Sequence, residues 1–241
     1  MKIGIIVAMD KELEQLRPLF PEDKVILQKS GIATVNAAIQ TVEMIRQYKP
    51  DVIISSGCAG GNGDDINLQD VVVSSELAYH DVYCGRAIDD TTIYGQVQGL
   101  PPRFTVDPYL LRKAQELSSI NHKLSTINCK IHSGLIVTGD WFVDTKEKMR
   151  QIIGHFPEAK AVDMESAAIA HTCYLYKVPF ISFRVISDIP CATPTPPSTT
   201  TSGTPSPSTP SKSPAPSSKA FNFQFFNQWK SYKVLRLIIR S

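Results

Sequence analysis

The sequence has no CxxC pair, no GxGxxG or Walker loop, and no long basic run before its last segment. Nor does any uninterrupted apolar stretch approach the roughly 20 residues that a bilayer crossing needs. Each absence removes a class. Five cysteines (Cys58, Cys84, Cys129, Cys173, Cys191) share no metal-ligand spacing with the five histidines, so reduced, mostly buried thiols are expected, with no metal and no cofactor. A formal net charge of +2, from 25 basic and 23 acidic residues, leaves no electrostatic footprint for nucleic acid. In the N-terminal "MKIGIIVAMDKELEQL" an acidic amphipathic stretch follows the apolar run at once, without a small-residue cleavage site. It reads as a first strand, and the expectation is a soluble, cytoplasmic protein with no membrane partner.

What is present is a rhythm. Short β-branched runs alternate with helix-period segments: "KIGIIVAM" then "DKELEQLRPLF", "KVILQKSG" then "ATVNAAIQTVEMIRQYK", "PDVIISSGCAGG" then "DVVVSSELAYHD", and later "KIHSGLIVTGD", "KEKMRQIIGHF", "KAVDM", "ESAAIAHTCYLYK" and "PFISFRVISD". Strands apolar nearly throughout belong to a sheet covered on both faces, so the fold class expected is α/β, with a mixed, largely parallel central sheet flanked by helices. At 241 residues one large domain fits, and it is assigned to 1–189. Residues 190–218 are almost entirely Ser, Thr and Pro and predict a disordered linker; 219–241 regain aromatic, aliphatic and basic residues and read as a basic aromatic tail, a candidate docking helix.

Four strand ends carry polar or glycine-rich punctuation of the kind an α/β sheet gathers at its carboxyl edge. "AMDKE" offers Asp10 and Glu12; "SSGCAGG" offers glycines whose backbone a ligand can approach closely; "VTGDWFVD" offers Trp141 and Phe142 as a flat surface for a planar ligand; "VISDIP" ends an apolar strand with Ser187 and Asp188. A carboxylate at such a strand end must be paired, hydrogen-bonded or neutral, and desolvation raising its pKa makes Asp188 a candidate general acid. A fifth segment, "KAVDMESAAIAH", sets Asp163 and Glu165 around Met164 at a strand-to-helix junction. Locally this is a solvated helix start, since acids and Ser suit a first turn. Each of the other features also has a structural reading: first-turn acids, a plain turn, core aromatics.

Taken together, "KIGIIVAMDKELEQL", "KSGIATVNAA", "PDVIISSGCAGG", "YHD", "GLIVTGDWFV", "AVDMESAAIAHTCY" and "VPFISFRVISD" resemble, in order and from residue 1 to about 189, the 5'-methylthioadenosine/S-adenosylhomocysteine nucleosidases of the nucleoside phosphorylase superfamily. The resemblance implies hydrolysis of the N-glycosidic bond of a small-molecule nucleoside, in methionine salvage, by a homodimer. It assigns Asp188 as the acid that protonates adenine at N7 and Glu12 as the base that activates water. Met164 would lie against the ribose, and Glu165 would accept bonds from its hydroxyls. Phe142 would stack on adenine, the Val143 backbone would bond its edge, Gly60 would line the base site, and Ser187 would contact the substrate. Asp163 stands where the family commonly has Glu, which suggests a supporting part.

The chain departs from the family in three places: the short connection from Phe20 to Lys24, the altered loop from Cys84 to Phe104 with Gln98 near an expected proline, and the Ser/Thr/Pro tract where a loop and long covering helix are expected. Phe221 or Phe223 would then stand in for an aromatic lid residue, or the sequence after about residue 189 is a reading-frame or splicing alternative. Two other functions compete: an inactive adenosine-binding module, and a phosphorylase with Arg17 and Arg46 as candidate phosphate ligands.

Overall fold

The computed structural model describes residues 1–20, 25–85, 90–124 (117–124 by backbone alone) and 129–191. Both the tail and the Ser/Thr/Pro tract from residue 192 on lie outside the described residues, as do the 21–24 connection and residues 86–89 of the altered loop.

The β-branched runs become strands and the amphipathic runs become helices, in the order β1 (Ile3–Val7), α1 (Asp10–Leu16), β2 (Val25–Lys29), α2 (Thr34–Tyr48), β3 (Val52–Gly61), β4 (Val71–Tyr79), β5 (Phe104–Thr105), α3 (Pro108–Leu124), β6 (Ile131–Thr138), α4 (Lys146–His155), β7 (Ala159–Asp163), α5 (Ser166–Tyr176) and β8 (Phe180–Asp188). A single 3-10 turn, Arg17–Leu19, follows α1. The expected mixed, helix-flanked sheet is what forms, with β1 buried at every position and β8 buried up to its last two residues.

Two parallel sets make up the sheet. One contains β2, β1, β3 and β8; the other contains β4, β6 and β7. They run against each other at two antiparallel seams, β4 with β8 and β3 with β7. Because both seams form, β3, β8, β4, β6 and β7 close on themselves in a ring, leaving β2 and β5 as outer strands. The larger hydrophobic cluster takes in Ile5, Ile54, Val72, Leu110, Ala167 and Phe183; a smaller one, including Val137, Met149, Ile152 and Phe156, lies beneath α4. Close approach has a visible cause at Gly4, where a β-carbon would fall 2.3 Å from Met44 Sδ of α2. The helix can lie flat on β1 only without it.

Candidate active site

The chain leaves β1 at Val7 and turns into α1, and the third residue of that helix, Glu12, folds back over the turn. Its Oε2 accepts the N–H groups of Ala8 and Met9, both at 3.0 Å, and its Oε1 accepts Cys58 N–H of β3 at 3.2 Å. The carboxylate therefore joins the turn after β1 to the body of β3, at 1% exposure. Burial raises its pKa, against the pull of the Arg184 guanidinium and the three backbone donors.

The cation in question lies mid-strand. Arg184 occupies β8 among apolar neighbours and is itself 1% exposed, so it requires partners. They come from the end of β7: Arg184 Nε meets Asp163 Oδ2 at 2.6 Å, and Nη2 meets Glu165 Oε2 at 3.6 Å. Ser55 and Ser166 hydroxyls accept further bonds from the guanidinium at 2.8 to 3.0 Å. Asp163 Oδ1 accepts from Thr138 Oγ1 at 2.5 Å and from Ser166 N–H at 3.3 Å. Glu165 Oε1 accepts Ala33 N–H at 3.1 Å. Burial pushes the Glu165 carboxyl up to about 7, with Arg184 lowering it and Asp163 raising it. The two acids of "AVDMES" are thus not a solvated first turn. Both are buried, and Asp163 is the main counter-ion of Arg184.

At the end of β8 the ladder with β3 slips: Ala59 pairs with Ile186, but Gly60 pairs with Asp188. Ser187 is the extra residue of a bulge, which bends the strand and re-aims Asp188 after it. Its Oγ lies 2.7 Å from Asp188 Oδ1 and 3.3 Å from Ala59 O. Asp188 is partly buried, and burial raises its pKa while the Ser187 hydroxyl lowers it. Gly60 stands beside it; a β-carbon there would sit 3.5 Å from Asp188 Oδ2.

After β6 the chain crosses from Gly139 to Asp144. Phe142 is 64% exposed, and its carbonyl accepts from Lys148 Nζ at 3.0 Å. Val143 and Met164 are partly buried. Trp141, a candidate ligand surface by sequence, instead meets the His80 ring edge-on at 5.3 Å and packs on the smaller core. Asp10 is exposed and paired with Lys29 at 2.8 Å, outside the site. Arg17 and Arg46 are exposed at the C-terminal ends of α1 and α2. Since α2 reaches Glu165 through its N-terminal side, about 20 Å separates Arg46 from that carboxylate along the helix.

Sequence reading singled out the acids and passed over Arg184. The signal was available: a lone arginine inside "PFISFRVISD" cannot be buried without carboxylates, and unassigned acids stood at the ends of other strands. Asp140, whose carboxylate accepts both the N–H and the hydroxyl of Thr34 at 2.8 Å, was likewise missed.

A family model described as the phosphorylase superfamily matches residues 2–204. A 5'-methylthioadenosine/S-adenosylhomocysteine nucleosidase from an Exiguobacterium species is 40% identical over 209 residues, covering 78% of this chain and 85% of that protein. Among solved structures, the nucleosidase of the same description from Neisseria meningitidis, in complex with methylthio-immucillin-A, superposes with a TM-score of 0.79 at 30% identity over 99% of this chain and 98% of its own. That from Colwellia psychrerythraea, in complex with adenine, gives 0.72 at 33% identity over 79% and 83%. Matched by the superfamily model over most of its length, and by relatives at this identity and coverage, the chain belongs to the 5'-methylthioadenosine/S-adenosylhomocysteine nucleosidase family of the phosphorylase superfamily.

Proposed function

We propose that the protein hydrolyses the N-glycosidic bond of 5'-methylthioadenosine and S-adenosylhomocysteine, releasing adenine and the corresponding thioribose, in methionine salvage. The observation that carries this reading is the spacing of two carboxyls, Glu12 buried and Asp188 partly buried, against one strand. Glu12 bonds Cys58 N–H and Asp188 stands opposite Gly60, two residues further along β3. That is about 7 Å of strand, room for a sugar carbon and a water between base and acid.

Asp188, whose burial favours the protonated form, gives its proton to adenine N7 as the bond from C1' to the purine breaks, so the base departs neutral with the bonding pair. The ribosyl carbon, left electron-poor, takes the oxygen of a water whose proton passes to Glu12. Glu165 accepts from the ribose hydroxyls, and a 2'-deoxy analogue leaves that buried carboxylate short of a donor. Met164 lies against the sugar. Phe142, whose exposed ring a planar ligand can cover, stacks on adenine, the Val143 backbone bonds its edge, Gly60 lines the base site, and Ser187 orients the acid. Arg184 is a positioning residue, whose charge favours the ionised forms of Glu12 and Glu165 against the burial that opposes them.

A phosphate dianion among Glu12, Asp163 and Glu165 would be repelled, which disfavours phosphorolysis. Incubation with methylthioadenosine, with and without phosphate, tests both points: free thioribose and adenine are expected in each case. A sugar 1-phosphate overturns the hydrolase, and nucleoside binding by folded protein without adenine release supports the inactive-module reading instead. Asp188→Asn keeps a hydrogen-bonding group of the same size but no transferable proton, and turnover should fall about 10²- to 10⁴-fold with binding retained. Glu12→Gln should behave alike.

The reading includes a cytoplasmic homodimer. Ile32, Val35 and Ile39 leave 50%, 66% and 58% of their surface exposed along one side of α2 and the loop before it, an apolar stripe suited to a second copy. Light scattering at micromolar concentration should return twice the chain mass. Monomer alone would remove the dimer.

A further inference from the structure

Glu165 accepts one backbone hydrogen bond, from the N–H of Ala33, and has the Arg184 guanidinium as a counter-charge at 3.6 Å. Ala33 precedes α2 with φ 82 and ψ 165, a backbone conformation that residues other than glycine rarely adopt, and it brings no capping side chain of its own. Something beyond Ala33 must fix this turn.

Asp140 does so from outside the helix. One of its oxygens accepts Thr34 N–H and the other accepts Thr34 Oγ1–H, both at 2.8 Å. The cap of α2 is therefore imported, Asp140 arriving from the end of β6 and Glu165 from beyond β7, strands whose last residues Thr138 and Asp163 are register partners. Two carboxylates at a helix N-terminus suit its exposed donors and its dipole. Asp140 is fixed in turn, its own N–H donating to Asp81 Oδ2 at 2.7 Å. A continuous line of bonds runs from Asp81 through Asp140 and Thr34 to Ala33 and Glu165. Phe142 and Val143 follow Asp140 by two and three residues, so this line starts beside the aromatic segment.

We propose that Asp140 is a positioning residue for ribose recognition: by capping α2 it fixes the Ala33 N–H that aims Glu165. The proposal rests on Glu165 accepting from the ribose hydroxyls, and the two claims fail in different ways.

The test compares kcat/KM for methylthioadenosine and for its 2'-deoxy analogue across Glu165→Gln, Asp140→Ala, Asp140→Asn and the double variant Asp140→Ala with Glu165→Gln. Glu165→Gln should narrow the preference for the 2'-hydroxyl. Asp140→Ala should narrow it about tenfold, most of the loss falling on the hydroxylated substrate, and should narrow it no further in the Glu165→Gln background. Asp140→Asn, whose amide can accept from Thr34 N–H and donate to Thr34 Oγ1, should restore most of the preference. If Glu165→Gln narrows the preference while Asp140→Ala lowers both substrates equally, Asp140 only stabilises the fold and the proposal is overturned. If Glu165→Gln itself leaves the preference intact, the reading of Glu165 fails and the proposal falls with it. Should Asp140→Ala not fold, Thr34→Val removes the hydroxyl bond alone and carries the same comparison.

Discussion

Gly57 faces Arg184 across the register of β3 and β8, and a β-carbon added to it would fall 2.3 Å from Arg184 Nη1 and 2.9 Å from Glu12 Oε1. At Gly60 the same addition meets Asp188 and Pro190 at 3.5 to 3.6 Å, ordinary contact. The glycines of "SSGCAGG" look alike in sequence, yet only Gly57 lets the guanidinium and the base carboxylate come together. Gly57→Ala should therefore cost about 1–3 kcal/mol of stability by overpacking and at least a hundredfold in adenine release. Gly60→Ala should leave the urea midpoint close to wild type and act on nucleoside affinity. Midpoints and kcat/KM of the two variants check this, and equal behaviour of both would contradict it. A place at an apolar strand end marked Asp188 as a candidate acid, and the family resemblance marked Glu12 as the base. Local spacing did not convey which carboxylates Arg184 links, because that depends on the strand ends and helix start that the sheet brings to it.

Most elements were legible, because apolar runs and 3.6-residue periodicity reflect burial directly. β6, β7 and β8 follow "KIHSGLIVTGD", "KAVDM" and "PFISFRVISD" closely. Three features were not. The two-residue β5 is too short to carry a pattern. The bulge at Ser187 appears only when β8 is laid against β3, since nothing in "VISD" shows that one residue will be skipped. The start of α2 lacks the usual signal, with Ala33 where Ser or Asp would be expected, because its cap comes from Asp140 and Glu165 more than 100 residues away. In each case the missing information is about partners. Local composition reports how a segment is buried, whereas register and imported caps depend on which distant segment it meets.

Across the whole molecule, buried ionisable groups make folding and protonation one equilibrium. Glu165, raised from 4.5 to about 7 in the folded protein, holds its proton in the native state over a range where the unfolded chain has lost it. Its contribution to stability is fully present below about 4.5 and is lost as pH rises through about 7. Burial acts oppositely on His80: its lowered pKa gives stability that is present above about 6.5 and declines as pH falls below it. Urea midpoints measured from pH 4.5 to 7.5 for wild type and Glu165→Gln separate the two. The gap should widen in favour of the variant as pH rises, and a gap independent of pH would show that Glu165 does not titrate there. The ring of strands has a different consequence, for synthesis. β3 emerges from the ribosome early with one entire edge unpaired, and the strand that satisfies this edge, β8, is the last described element to appear. Until then the nascent chain carries a sticky β edge and a base without its acid, the state in which chains aggregate or need a chaperone. The residue that completes the proposed catalytic pair, Asp188, ends the strand that closes the ring, so a chain stalled before it holds neither the closed ring nor both halves of the chemistry.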